Sequence, residues 1–483
     1  MKKSIKLIVF CAILQLFSLS TFAQNKAKQI EQLLAKYNEY GQFNGSALVA
    51  ENGKVIFKKG FGSANFEWNI PNQTDTKFRL GSITKQFTAL LIVKLAEEGK
   101  LKLDVPITTY LPDYPKANGD KITIHNLLTH TSGIPNFTAS PNFLKDKSRN
   151  PVTPEEFVKT FSSLPLEFTP GEKFNYSNSG YFLLGYIIEK ITGKSYEQNL
   201  QETIFTPLKM VNTGYDHSDL ITKNRAAGYE KNGNNISNAS YIDMSVPYAA
   251  GSLYSTVEDL YLWDQALYTT KLLSEKSIES LYKPYIKAWD GFYGYGWSTR
   301  EVANGDKGKL KLIEHGGGIN GFNTNISRIP ADKDLVVLLN NTGGTILGEI
   351  TDGIRAILYN QPFNQPKKSL ALDLLDVYTN KGVAAGTETY KKLKNDPTYA
   401  IKEGDMNRVG YQLLQSGKKK EAIEVFKINV EAFPKSGNTY DSLGEAYLAD
   451  GDKNLAIVNY TKSVELDPTN EGGKKVLEEL SKK

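Results

Sequence analysis

Segments with strand character stand at the two ends of the stretch between positions 45 and 339, with helical segments between them, and this order limits the folds open to the chain. Gly45–Ala50 and Lys54–Phe57 flank Asn52-Gly53, a dipeptide suited to a tight hairpin turn. Strand-like runs return only late, at Lys309–Glu314, Asn323–Ile329 and Leu335–Leu339. The helical segments between them have readable starts. Thr153-Pro154-Glu155-Glu156 offers a cap, a proline for the first turn and two acids. Ser179 precedes Leu183, Leu184, Ile187, Ile188 and Ile191, a run that Gly193 ends. Thr256-Val257-Glu258-Asp259 reads as a capping box before Leu260 and Trp263, which makes Asp259 a structural cap rather than a catalytic acid. The reading is an α+β fold: an antiparallel sheet assembled from both ends, flanked by helices, with a helical region inserted.

The composition changes after Tyr359-Asn360-Gln361-Pro362-Phe363-Asn364-Gln365-Pro366-Lys367-Lys368, a polar, proline-bearing stretch. Beyond it Met406, Val409, Gly410, Leu413, Ala422, Phe426 and Pro434 recur 34 residues later as Tyr440, Leu443, Gly444, Tyr447, Ala456, Tyr460 and Pro468. That period and pattern resemble the tetratricopeptide repeat, which implies pairs of antiparallel helices. Leu370–Pro397 reads as a degenerate third unit. The expected organisation is a first domain over 24–359, a linker over 360–370 and all-α repeats over 371–483. Stacked units need neighbours to bury their faces, so the repeats are expected to lean on the first domain or on a protein partner. A helical cap that only stabilises is the other reading.

Residues 1–23 read as a signal peptide: Lys2, Lys3 and Lys6 precede the apolar run Leu7–Phe17, and Thr21-Phe22-Ala23 offers a cleavage site. The chain is therefore expected to be exported, to a periplasm or the medium, with no membrane span after cleavage. Cleavage would remove Cys11, the one cysteine, excluding disulfide and thiol chemistry. It would also lower the formal charge from +5 to +2, because three lysines and no acids are lost. That balance gives no reason to invoke nucleic acid. The four histidines, at 125, 130, 217 and 315, form no pair at metal-ligand spacing, and neither a metal nor another cofactor is expected.

Ser82-Ile83-Thr84-Lys85 carries the chemistry. Phe87, Leu90, Leu91 and Leu95 recur at helical spacing, which makes Ser82 a candidate N-cap and puts Lys85 in the first turn. There a cation opposes the helix dipole and is easier to deprotonate. A serine beside a neutral amine is an activated nucleophile. The spacing alone means little, since Ser416-Gly417-Lys418-Lys419 repeats it in a basic turn.

Its company is more specific. Ser82-x-x-Lys85, Tyr176-Ser177-Asn178 and His315-Gly316-Gly317, in that order, resemble the three motifs of the serine β-lactamase and penicillin-recognising superfamily, closest to its class C β-lactamases, D-peptidases and related esterases. The flanks fit that branch as well: Ile124-His125-Asn126-Leu127-Leu128-Thr129-His130-Thr131-Ser132-Gly133, Pro170-Gly171-Glu172 and Tyr293-Gly294-Tyr295-Gly296-Trp297. The resemblance spans Gly45 to Leu358 and implies acyl-transfer chemistry. Ser82 would be the nucleophile, and Lys85 or Tyr176 the base, with nearby cations favouring the tyrosine anion. Asn178 would orient Lys85 and the substrate amide. His315, Gly317 and Gly318 would bind substrate, the oxyanion lying between the amides of Ser82 and Gly318. His130 is expected to be structural. Histidine at 315, where β-lactamases of the superfamily carry lysine, is a weaker anchor for a substrate carboxylate. The expected activity is therefore that of an exported serine hydrolase acting on D-amino-acid peptides or esters, with β-lactam hydrolysis weak. The alternative is a penicillin-binding-like protein that recognises peptide without turnover and recruits a partner through its repeats. A Ser-His-Asp hydrolase of another fold finds no Gly-x-Ser-x-Gly elbow in the chain.

Overall fold

The computed structural model describes residues 24–140, 143, 148–232, 235–345 and 347–482. The expected signal peptide over 1–23 lies outside them. The chain divides into two compact units, Met1–Glu230 with Ser237–Asn364, and Lys231–Ile236 with Gln365–Lys483.

The first unit is built on an eight-stranded antiparallel sheet. In chain order its strands are β1 (Gly45–Glu51), β2 (Lys54–Phe61), β3 (Ile286–Ala288), β4 (Gly291–Tyr293), β5 (Ser298–Ala303), β6 (Lys309–Ile319), β7 (Phe322–Ile329) and β8 (Asp334–Asn340). Their spatial order is β3-β4-β5-β6-β7-β8-β1-β2, so the first hairpin closes onto the last strand. Gly45 lies opposite Asn340 and Ala50 opposite Leu335. Asn52 and Gly53 make the hairpin turn with positive φ at both, as Asn-Gly turns require.

The two central strands are apolar on both faces because both faces are covered. Ala47, Val49, Val336 and Leu338 join Ile350, Ile354 and Ile357 and the helical residues Ile30, Leu33 and Leu34 in one cluster. Leu48, Ala50, Leu335, Val337 and Leu339 face the larger cluster built by the inserted helices. Those helices include α1 (Thr84–Glu97), α2 (Ile124–Leu128), α3 (Pro154–Lys159), α4 (Asn178–Thr192), α5 (Tyr248–Gly251) and α6 (Val257–Ala266); α7 (Leu347–Leu358) covers the other face. Thr153 and Glu156 cap α3 reciprocally, with Pro154 in the first turn. Gly193 ends α4 in the left-handed conformation.

Two expected caps differ. Thr256 caps α6 by accepting from the Asp259 amide. Asp259 does not reciprocate; its carboxylate accepts from Asn212 N and Thr213 Oγ1, tying a distant loop to the helix. Ser82 caps nothing: it lies in a 3-10 turn, Gly81–Ile83, before α1, and its side chain makes no cap bond.

The second unit is helical: α8 (Leu370–Leu393), broken at Gly382, then α9 (Glu403–Gln415), α10 (Lys419–Ala432), α11 (Gly437–Asp450), α12 (Lys453–Leu466) and α13 (Glu471–Ser481). It has its own core of Leu374, Tyr378, Met406, Val409, Leu413, Phe426 and Leu443, among others.

Candidate active site

Ser82 reaches the floor of a cleft of about 430 Å³ because the turn that carries it is pressed beneath β6. Gly81 has φ +55°, and a Cβ there would fall 2.8 Å from Gly318 O and 2.9 Å from Gly318 N. Thr324 Oγ1 fixes the same turn by donating to Leu80 O at 2.7 Å. One residue past the turn α1 begins, which places Lys85 inside the molecule beside the serine.

Lys85 is fully buried. Its Nζ is 3.1 Å from Ser82 Oγ, 2.8 Å from Asn178 Oδ1 and 2.9 Å from Ala250 O. Among the described residues no carboxylate is paired with it, and burial drives its pKa well below the ordinary lysine value. Asn178 opens α4 and is held in turn: its amide donates to Asn136 Oδ1 at 3.1 Å and its Nδ2 to Thr138 Oγ1 at 3.2 Å.

Tyr176 lies over the lysine, with Nζ 4.9 Å from its ring centre. Burial pushes its phenol pKa up, and a bond to Ser82 only partly opposes this. This direction is opposite to the one expected from nearby cations, and burial favours the phenol form of Tyr176. The tyrosine is placed by His130, whose ring lies 4.2 Å from its own. His130 is buried, has φ +57°, and accepts from Ser177 N through Nδ1 at 3.1 Å. Burial lowers its pKa, so it is neutral, and its proton resides on Nε2.

His315 is also neutral, its pKa lowered to about 4 by burial and then by Lys85. Nδ1 lies 2.6 Å from Gly316 O and Nε2 2.9 Å from Tyr293 Oη. A carbonyl can only accept, so Nδ1 carries the proton and Tyr293 donates to Nε2. Both ring nitrogens are engaged within the protein, while the His315 residue itself lines the cleft. The third motif also provides a shaped backbone. Pairing with β5 ends at Glu314, so β6 from His315 onward presents a free edge on that side. Gly317 is sterically required, since a Cβ there would fall 1.9 Å from Leu80 O; it faces the Ser82 turn, and Gly316 lines the cleft.

The cleft wall beyond His315 includes Trp289, Arg300, Glu314 and Asp352. Arg300 donates to Glu314 at 2.6 Å and lies 3.7 Å from both Asp290 and Asp352. Sequence reasoning missed this wall, because paired charges on separate strands have no local signature. It also missed the Ala250 carbonyl, which any residue type supplies. Asn136 had a signal, as it closely follows the His130–Gly133 run. Among the described residues no group of three or more His, Cys, Asp or Glu side chains is placed to hold a metal, and no helix is long and apolar enough to cross a membrane.

Comparison with known proteins agrees with this geometry. PbpX of Bacillus subtilis (strain 168), a penicillin-binding protein by its name, is 32% identical over 336 residues, covering 69% of this chain and 80% of the relative. Among solved structures, a penicillin binding protein from Bacillus halodurans superposes with TM-score 0.59 at 29% identity, covering 67% of this chain and 98% of that one. The D-amino acid amidase of Ochrobactrum anthropi SV3 superposes with TM-score 0.61 at 26% identity, covering 70% and 99%. The profile of the beta-lactamase family matches residues 29–361, a span that takes in the whole sheet and every residue gathered around Ser82. By that match and by its fold, the chain belongs to the beta-lactamase family.

Proposed function

We propose that the chain is a serine hydrolase that forms an acyl-enzyme on Ser82, with Lys85 as the base. The observation that carries this is the set of three oxygens around Lys85 Nζ. A neutral amine has two N–H donors and one lone pair. The carbonyl oxygens of Asn178 and Ala250 can only accept, so they take the two protons and leave the lone pair toward Ser82 Oγ. The hydroxyl proton passes to that lone pair as Oγ attacks the substrate carbonyl. The oxyanion is held by the amides of Ser82 and Gly318, supported by the close pass of β6 over the turn. The neutral Tyr176 phenol bridges the proton to the leaving amine or alcohol as its bond to carbon breaks. Water then cleaves the acyl ester by the reverse proton path. A complete, tightly held set of this kind argues against a protein that binds without turnover.

The substrate class follows from the charges. Among the described lining residues Arg300 is the one fixed cation, and it is already held by carboxylates. His315 has no free nitrogen. A substrate carboxylate therefore finds no partner among them, which disfavours β-lactams and favours amides or esters. That these are amides or esters of D-amino acids is supported by the fold neighbour named as a D-amino acid amidase. Residues 1–23 support export, and residues 371–483 support a partner-binding helical region. The test is a panel of D-amino-acid amides, short D-peptides, p-nitrophenyl esters and a chromogenic cephalosporin, run with the chain and with Ser82→Ala. Turnover of amides or esters, with a mass adduct lost in Ser82→Ala, is expected. Undiminished turnover in that variant overturns the Ser82 assignment, and preferential cephalosporin hydrolysis overturns the substrate class.

A further inference from the structure

One residue at the rim of the Ser82 cleft is unusual in both its side chain and its backbone. Tryptophans bury most of their surface in folded chains, and two of the four here, Trp263 and Trp297, are fully buried. Trp289 is 62% exposed, yet it lines the cleft together with Ser82 and Tyr176. It stands at the tip of the β3–β4 hairpin, where Ala288 pairs with Gly291 and leaves Trp289 and Asp290 as a two-residue loop. The φ angle is +51° at Trp289 and not positive at Asp290. In such a loop the first position is one that glycine fills, and a bulky residue there is strained.

Strain of this kind persists only where the surroundings enforce it, and here they do. A Cβ on Gly291 would fall 2.2 Å from Thr299 O, so the hairpin lies hard against β5. Arg300, itself bonded to Glu314 at 2.6 Å, lies 3.7 Å from Asp290 and holds the tip from within the cleft. The Trp289 ring meets Phe174 at 5.0 Å and 72°, Tyr293 at 6.1 Å and 71°, and Tyr176 at 6.1 Å and 44°. None of these rings lies parallel to the indole, so its face is left open at the rim. A flat apolar group laid on that face would cover exposed indole and add a ring contact of its own. Tyr176 decides which part of the substrate arrives there. On the proposed mechanism its phenol hands the proton to the departing amine or alcohol, so the leaving group sits on its side of the cleft, next to Trp289.

We propose that Trp289 is a specificity-determining residue: its open ring face holds the leaving group and favours amines and alcohols that carry a flat apolar ring. The assignment rests on the acyl-enzyme reading of Ser82. The probes are the methyl and benzyl esters of D-alanine, whose alcohols differ little in acidity, so that their chemical reactivity is nearly matched. In Trp289→Gly, which suits the turn and therefore folds, the benzyl-to-methyl ratio of kcat/KM falls about fivefold, the size of one ring contact. Trp289→Phe restores most of that ratio. The ratio between the methyl esters of D-phenylalanine and D-alanine, which differ only in the acyl part, does not fall with it. An unchanged benzyl-to-methyl ratio would mark Trp289 as structural and overturn the proposal. An equal or larger fall in the acyl ratio would overturn the leaving-group assignment. The same contrast is read without turnover on Ser82→Ala protein, where titration calorimetry finds the benzyl ester bound more tightly than the methyl ester and added Trp289→Gly removes the difference. Equal binding of the two esters before that change overturns the site. Turnover that survives in Ser82→Ala alone is a separate failure, that of the nucleophile.

Discussion

Lys85 is held by three oxygens, none of them a carboxylate, and this sets how the site responds to pH. Its folded pKa is depressed by burial, so the neutral amine that can take a proton is populated far below the usual range. The ester-hydrolysis profile of kcat/KM should rise with pH through that depressed value. Lys85→Arg should remove the limb and lower kcat/KM by roughly 10²–10⁴-fold; an unchanged profile in the variant would exclude Lys85 as the base. His315 gives a stability counterpart. Its pKa is lowered to about 4 in the folded state, against about 6.5 unfolded. Between those values the unfolded chain binds more protons, so stability falls as pH drops from 6.5 toward 4, by on the order of 3 kcal/mol once both forms are protonated. His315→Gln keeps a donor and an acceptor but does not titrate, and its urea midpoint should fall less over this range. Equal pH slopes would refute the assignment. Ser82, Lys85, Tyr176 and Asn178 were legible in the sequence because each is a side chain in a short motif. The engagement of both His315 nitrogens was not, because Tyr293 comes from another strand.

Among the elements, β6 does two jobs with alternating residues, and the two can be separated. A Cβ on Gly317 would fall 1.9 Å from Leu80 O, whereas on Gly316 the nearest atoms would be 3.7 Å away, an ordinary contact. Gly317→Ala should therefore displace the Ser82 turn and abolish acylation, while Gly316→Ala folds and is labelled by an acylating probe. Intact-protein mass spectrometry with the probe decides it, and equal labelling of both variants would refute the steric reading. The helical unit offers a graded version of the same test. Gly410 of α9 sits against Phe426 of α10, where a Cβ would fall 2.4 Å from the ring; Gly444 of α11 sits against Tyr460 of α12 at 3.1 Å. Gly410→Ala should destabilise that unit more than Gly444→Ala, by about 1–3 kcal/mol against a smaller loss, read as the difference in denaturant midpoints of residues 365–483 within the full chain. The 34-residue recurrence exposed both pairs in the sequence, since each glycine and its aromatic partner repeat together. The first hairpin and the three late strands were legible for a similar reason: the turn and the apolar runs are local. Strands β3, β4 and β5 were not, because they are short elements of mixed composition toward one side of the sheet, ordered by successive pairing outward from β6 rather than by their own pattern.

For the whole molecule, the question is which parts of the chain the chemistry needs. Cores answer it, because a unit folds alone when it carries its own buried apolar cluster. The clusters that sandwich the sheet draw on residues from Ile30 to Phe363, while the helical cluster begins at Leu370. Tyr359 and Phe363 pack against the sheet-side cluster, which explains why a proline-bearing polar stretch beginning at Tyr359 marked the change of composition yet did not mark the last packed residue. Composition reads solvent exposure along the chain; packing is decided by single aromatic side chains that composition averages away. Every side chain gathered around Ser82 lies between residues 80 and 352, inside the first unit. A chain covering 24–364 should therefore fold, melt cooperatively and hydrolyse p-nitrophenyl esters with kcat within about twofold of the full chain, since no donor, acceptor or core member is removed from the site. Loss of turnover in a truncated chain that still melts cooperatively would show that the helical unit contributes to catalysis itself.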